Sequence, residues 1–166
     1  MNNLYNTFQL NDKIVLFPHQ LKNNLDMLLE DILKKQVGNK CTKEGYIKKN
    51  SVEIIRRSIC KMNSSFLDGS ITYYITYKAD ICNPKRGEII NVEIVDINKM
   101  GVLAKLSGTP LNIVIPKQLH KNREEFKKII DVENKNYKAD IEIVGTRYDL
   151  NDSTIFVIAR LLEVFD

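Results

Sequence analysis

The chain has 166 residues, 43% hydrophobic and 28% charged, with 25 Lys+Arg against 21 Asp+Glu for a formal charge of +4. That apolar content over that length supports a packed core and excludes a chain disordered throughout. The longest unbroken apolar run, Ile155–Ala159, is far short of the roughly 20 residues a membrane-spanning helix needs, so no membrane association is expected.

The opening MNNLYNTFQLND has neither the basic nor the apolar region of an export signal, which leads to an intracellular, reducing setting with Cys41, Cys60 and Cys82 as free thiols. Ile, Lys and Asn dominate at 21, 19 and 17 residues, a bias that AT-rich codons write; it bears on the source of the chain and not on its activity.

Along the chain, Lys13–Phe17 reads as a strand ended by Pro18. Leu21, Leu25, Leu28, Leu29, Ile32 and Leu33 recur at helical spacing; Lys34 and Lys35 suit a last turn and Gly38 a left-handed cap, predicting a helix that stops near Gln36. Cys41–Ile47 and Ile54–Met62 are strand-like. The strongest strand is Ser70–Ile81, where Ile71, Tyr73, Ile75, Tyr77, Ala79 and Ile81 alternate with Thr72, Tyr74, Thr76, Lys78 and Asp80. Turn residues at Asn83–Gly87 then set a boundary between domains 1–82 and 83–166.

Beyond it, strands are predicted at Glu88–Ile97, Val102–Leu106, Leu111–Ile115, Tyr137–Arg147 and Thr154–Val164, with a short helix at Arg123–Ile130. Five short strands with one longer connection before the fourth suit a Greek-key barrel of the oligonucleotide-binding type. The expected fold class is α+β: a small sheet-plus-helix domain followed by a five-stranded barrel.

Signatures of catalysis are missing. There is no phosphate-cradling Gly-x-x-x-x-Gly-Lys-Ser/Thr loop, no Cys-x-x-Cys pair to hold zinc and no Gly-x-Ser-x-Gly elbow, so neither an enzyme, a metal nor a cofactor is expected.

Three segments carry more. Gly87–Ala104 (GEIINVEIVDINKMGVLA) reads as a strand, a tight Lys-Met-Gly turn and a second strand, and is similar to the opening of an S1-type RNA-binding domain. Before it stand Val37–Ile47 (VGNKCTKEGYI) and Ile75–Glu88 (ITYKADICNPKRGE). Taken in order, the three resemble the S1-containing stalk subunit of archaeal, eukaryotic and related viral RNA polymerases, over essentially the whole chain. The resemblance implies a non-catalytic subunit of a DNA-dependent RNA polymerase, working in a nucleus, or in a cytoplasmic viral factory and virion if virus-encoded.

It also implies partners and sites. The first domain would be a tip that docks on the large polymerase subunits through Gly38, Asn39, Lys40, Cys41, Thr42 and Gly45. A second, helical stalk subunit would pack against Tyr74, Lys78 and Pro84. The barrel would approach nascent single-stranded RNA, with Lys99, Lys105, Lys117, His120, Arg147 and Tyr148 as candidate contacts.

Charge tempers that last expectation. Residues 1–82 carry 12 Lys+Arg and 8 Asp+Glu, whereas residues 83–166 carry 13 of each. A neutral barrel should bind RNA weakly, because phosphate neutralisation supplies most non-specific affinity. The competing expectation is a free-standing S1-type RNA-binding protein of translation or RNA decay.

Overall fold

The computed structural model describes residues 4–21, 24–62, 68–98, 100–120 and 138–165. The chain divides into two compact units, Tyr5–Cys82 and Asn83–Asp166, the latter also taking in Met1–Leu4.

The first unit contains strands β1 (Tyr5–Leu16), β2 (Lys40–Thr42), β3 (Gly45–Ile47), β4 (Glu53–Arg57), β5 (Lys61–Met62) and β6 (Ile71–Cys82), with helix α1 (Leu25–Val37) between β1 and β2. Strand β6 is the hub. Antiparallel β1 runs along one edge, from Tyr5 opposite Cys82 to Leu16 opposite Ile71. The other edge is shared in turn by β3, β4 and β5, and β2 hangs from β3. The period-two pattern of β6 drives this arrangement: Tyr73, Ile75, Tyr77, Ala79 and Ile81 are buried in one cluster with Leu29, Leu33 and Val37 of α1 and with Ile14 and Leu16 of β1. Each such large side chain contributes about 1.5–3 kcal/mol on burial.

Three local features depart from the sequence expectation. Strand β1 begins at Tyr5 and not at Lys13, although Asn6, Asn11 and Asp12 are poor strand formers; continuous pairing with β6 overrides local propensity. Helix α1 begins at Leu25, because Asn24 caps it by accepting from the Met27 N–H at 3.5 Å, and exposed Leu21 closes the 3-10 turn Pro18–Gln20 instead. Gly38 is extended, at φ −71° and ψ 139°, while the left-handed residue is Asn39 at φ 55°. Glycine is needed at 38 for room: a Cβ there would lie 2.4 Å from the Lys34 carbonyl oxygen and 2.6 Å from Lys49 Cγ.

The second unit contains β7 (Ile89–Asn98), β8 (Gly101–Lys105), β9 (Leu111–Pro116), β10 (Lys138–Arg147) and β11 (Ile155–Phe165). They close into a barrel in the order β7–β8–β9–β11–β10 and back to β7, every pair antiparallel except β9 with β11. This is consistent with the oligonucleotide-binding barrel. The interior is filled by aliphatic side chains from every strand, among them Ile90, Val92, Ile113, Ile141, Ile143 and Val157, none more than 1% exposed. Bulges between Ile94 and Asp96 and between Ile143 and Gly145 let the strands bend around this core. The helix expected at Arg123–Ile130 lies outside the described residues.

Two measurements test the first unit. Gly38→Ala should lower its stability by about 1–3 kcal/mol, since backbone must move to admit the methyl group; a urea midpoint unchanged from wild type would refute the steric argument. Burial, reinforced by the Asp12 carboxylate, pushes the Tyr77 phenol up to about 12. Folded Tyr77 therefore holds its proton where the unfolded side chain, at about 10, has released it, so stability should fall as pH rises from about 10 to about 12 and level off above. Tyr77→Phe should reduce that step in alkaline unfolding curves, leaving the part that Tyr5, also pushed up to about 12 by burial, contributes.

Candidate interaction surfaces

Strands β2 and β3 form a hairpin, Thr42 opposite Gly45, with Lys43 and Glu44 in the turn. Of the residues expected to grip a polymerase core, Gly38, at the end of α1, and Cys41 and Gly45, in the hairpin, are buried. The others are largely engaged inside the unit. Thr42 Oγ1 donates to the Gly45 carbonyl at 3.1 Å, and Asn39 Oδ1 accepts from the Lys49 N–H at 3.2 Å. Lys40 Nζ donates to the carbonyls of Lys35 and Gln36 at 3.4 and 3.2 Å, placing its charge at the C-terminal end of α1, where cations are favoured. The segment that the resemblance assigned to docking is a closed hairpin whose polar groups largely satisfy one another.

The sheet face turned away from α1 is polar. Thr7 donates to Asp80 at 2.7 Å, Thr76 to Asn11 at 2.8 Å, and Lys78 pairs with Glu53 at 2.9 Å. Tyr74 stands on this same face, 52% exposed, with Lys61 Nζ 5.6 Å from its ring centre. Tyr74 and Lys78 are thus both exposed, whereas Pro84 is buried.

One surface of this unit escaped the sequence reading. Ile59 is 88% and Met62 75% exposed, and Phe17 and Leu21 are exposed beyond the end of β1. Pairing places Met62 and Leu16 on either side of Ile71, so these apolar groups gather at one end of the sheet. The segment Ile54–Met62 reads as one strand in sequence. It is broken at Ser58, whose N–H donates to the Tyr74 carbonyl and whose Oγ accepts from the Tyr74 N–H, and this break releases Ile59.

On the barrel, His120 corrects an expectation. It is only 4% exposed. Nδ1 lies 3.1 Å from the Pro116 carbonyl oxygen, and Nε2 accepts from the Leu161 N–H at 2.8 Å, an arrangement that assigns the proton to Nδ1. The imidazole fastens the turn after β9 to β11 and offers almost no surface to a ligand. Lys105 and Arg147 are exposed, in a row that crosses four strands as Lys105, Asn112, Phe156 and Arg147. Lys117 borders one shallow hollow on this side and Arg147 and Tyr148 a second, the two hollows meeting at Val114 and Pro116. Lys99 lies outside the described residues. Exposed Phe156 was missed, because alternation in Ile155–Leu161 shows two faces without showing which one fills the barrel.

Among the described residues, no group of three or more His, Cys, Asp or Glu side chains could hold a metal ion, and no helix is long and apolar enough to cross a membrane. Cys41, Cys60 and Cys82 are free thiols, the first and last buried.

These features define an α+β protein with one sheet-and-helix unit and one closed barrel consistent with the oligonucleotide-binding form. No protein-family model matches the chain. Its sequence relatives are named as RNA polymerase subunits. It is 26% identical over 169 residues to a protein of Acanthamoeba polyphaga mimivirus provisionally named as a DNA-directed RNA polymerase subunit, covering 97% of this chain and 83% of that one. It is 27% identical over 124 residues to DNA-directed RNA polymerase II subunit rpb7 of Schizosaccharomyces pombe, covering 63% and 70%. The Glycine max RNA polymerase II subunit RPB7 is 24% identical over 163 residues, covering 90% and 88%. At this modest identity the chain has its homologues among the polymerase subunits that the three sequence segments resemble.

His120→Ala should destabilise the barrel by about 1–3 kcal/mol, the cost of leaving a buried donor and acceptor unpartnered, with RNA affinity at the intact fold unchanged. Filter binding and thermal melting on the same preparation separate the two roles; lost RNA binding at unchanged melting temperature would restore His120 as a contact.

Proposed function

We propose that the protein is a non-catalytic stalk subunit of a multisubunit DNA-dependent RNA polymerase, its first unit docked on the large subunits and its barrel held near emerging RNA. The observation that carries this reading is similarity to a polymerase subunit across 97% of the chain. Its eukaryotic and viral relatives make a nucleus or a viral factory the expected workplace.

The docking anchor is the apolar end formed by Phe17, Leu21, Ile59 and Met62. Large exposed aliphatic and aromatic groups gain more on leaving water than hairpin groups that already satisfy one another. Asn39 and Lys40 lie at the other end of β6, where β3 pairs with Ile81 and Cys82, and take no part in this contact. Tyr74 and Lys78 on the polar sheet face receive a helical stalk partner where one is present. Catalysis belongs to the large subunits. Lys105, Lys117 and Arg147 contact RNA phosphates weakly, at about micromolar affinity or poorer, because the unit as a whole carries no basic excess. The alternative, a free-standing RNA-binding protein, draws its support from the barrel alone.

A tagged chain expressed beside the polymerase of its own source should recover the large subunits. Ile59→Asp combined with Met62→Asp should cut that recovery about tenfold, a loss typical of truncated interface anchors, without lowering the melting temperature. Recovery of RNA and never of large subunits would favour the alternative. Unchanged recovery by the double variant would move the anchor elsewhere on the first unit.

A further inference from the structure

Strand β1 pairs with β6 on one side and with no strand on the other. Which backbone groups that free edge presents follows from β6. Tyr74 turns its backbone away from β1, its N–H donating to Ser58 Oγ and its carbonyl accepting from the Ser58 N–H. Asp80 does likewise, its N–H donating to Ser51 Oγ and its carbonyl accepting from the Lys48 N–H. Their partners on β1, Lys13 and Thr7, therefore stand in non-hydrogen-bonded pairs and aim N–H and C=O outward. The register runs without a shift, so Gln9, Asn11 and Val15 do the same.

A long edge is ordinarily blunted by proline, a bulge or charge. The other free edges of this sheet are short: β2 has three residues, β5 two, and β4 five with a bulge. By contrast, β1 runs twelve residues with neither proline nor bulge, and its blunting is confined to residues 12 and 13, where Asp12 Oδ1 takes the Lys13 N–H at 2.7 Å. Before that point, the outward N–H and C=O groups of Thr7, Gln9 and Asn11 have no partner among the described residues. Phe8, between them on the α1 side, is 45% exposed, while Leu10 on the same side packs against the core cluster.

We propose that the Thr7–Asn11 edge binds an extended segment of another protein, which joins the sheet as an added strand. Open donors and acceptors at alternate residues fit an extended backbone, whereas a helix, its own groups already paired, would leave them unmet. Side chains define the segment. On the α1 side it sets apolar residues against Phe8 and Leu10, and on the other side polar residues against Thr7, Gln9 and Asn11. Lys13 stands at the end of the stretch, and among the described residues no carboxylate pairs with its ammonium, so an acidic residue closes the segment there. A second copy of the chain fits less well: residues 1–82 carry 12 Lys+Arg against 8 Asp+Glu, so two such units repel. The inference goes beyond the polymerase reading, does not depend on it, and uses none of the side chains that reading assigns.

The test pans the full-length protein against a displayed library of random peptides about ten residues long, then measures enriched peptides by fluorescence anisotropy. Enriched peptides should alternate apolar and polar residues and carry an acid near one end. Methylating their backbone nitrogens one at a time should cut affinity about tenfold or more at every second residue and little at those between, since only alternate N–H groups face β1. Gln9→Pro, which removes an outward N–H and no bond to β6, and Phe8→Glu should each cut it about tenfold at unchanged melting temperature. Enrichment without alternation, a methylation profile without the period of two, or affinity indifferent to both substitutions would overturn the proposal. So would sedimentation of the wild-type chain as a dimer that Gln9→Pro dissociates, an outcome that gives the edge to a second copy.

Discussion

The first unit depends on the register of a single strand. β6 holds β1 on one edge and β3, β4 and β5 on the other, and it separates an apolar face from a polar one by strict alternation. A slip of one residue would carry Tyr73, Ile75 and Tyr77 into water and press Thr72, Tyr74 and Thr76 against α1, so intermediate registers are closed to it. The surfaces follow from that constraint. Tyr74 and Lys78 emerge on the polar face because their neighbours are held inward, while Ile59 emerges in the break between β4 and β5 and Met62 at the Ile71 end of β6.

The barrel solves a different problem. Its interior is complete without help from its outside: aliphatic side chains from all five strands fill it, and the parallel pairing of β9 with β11 closes it. Outward side chains are then free of any packing duty. The same reasoning sets His120 apart from them, since both of its nitrogens are taken up in fastening β9 to β11.

Much of this was legible in the residues. β6 and the barrel strands could be read because branched and aromatic residues alternate over long runs bounded by Gly, Pro and Asn. The first half of β1 could not, because its strand character is lent by a partner more than sixty positions away in sequence. Gly38 was recognised as special for the wrong reason: the pattern indicates a helix end, but only the approach of Lys34 and Lys49 reveals that room, and not handedness, selects glycine. His120 and Leu161 are 41 positions apart, and no local pattern foretells such a bond. The surfaces were the least legible part, since exposure is a property of the packed chain and alternation alone does not name the inner face.

The topology also orders events during synthesis. Every strand of the first unit has been translated once Cys82 has left the ribosome, so that unit can settle while the remainder is still being made. The barrel has no such option: β9 stays without its parallel neighbour, and β10 lacks one of its two, until β11 arrives. A nascent chain stalled before Ile155 would therefore display a finished first unit and an open, adhesive sheet, which makes the stretch between Cys82 and β11 the interval in which chaperones have most to guard.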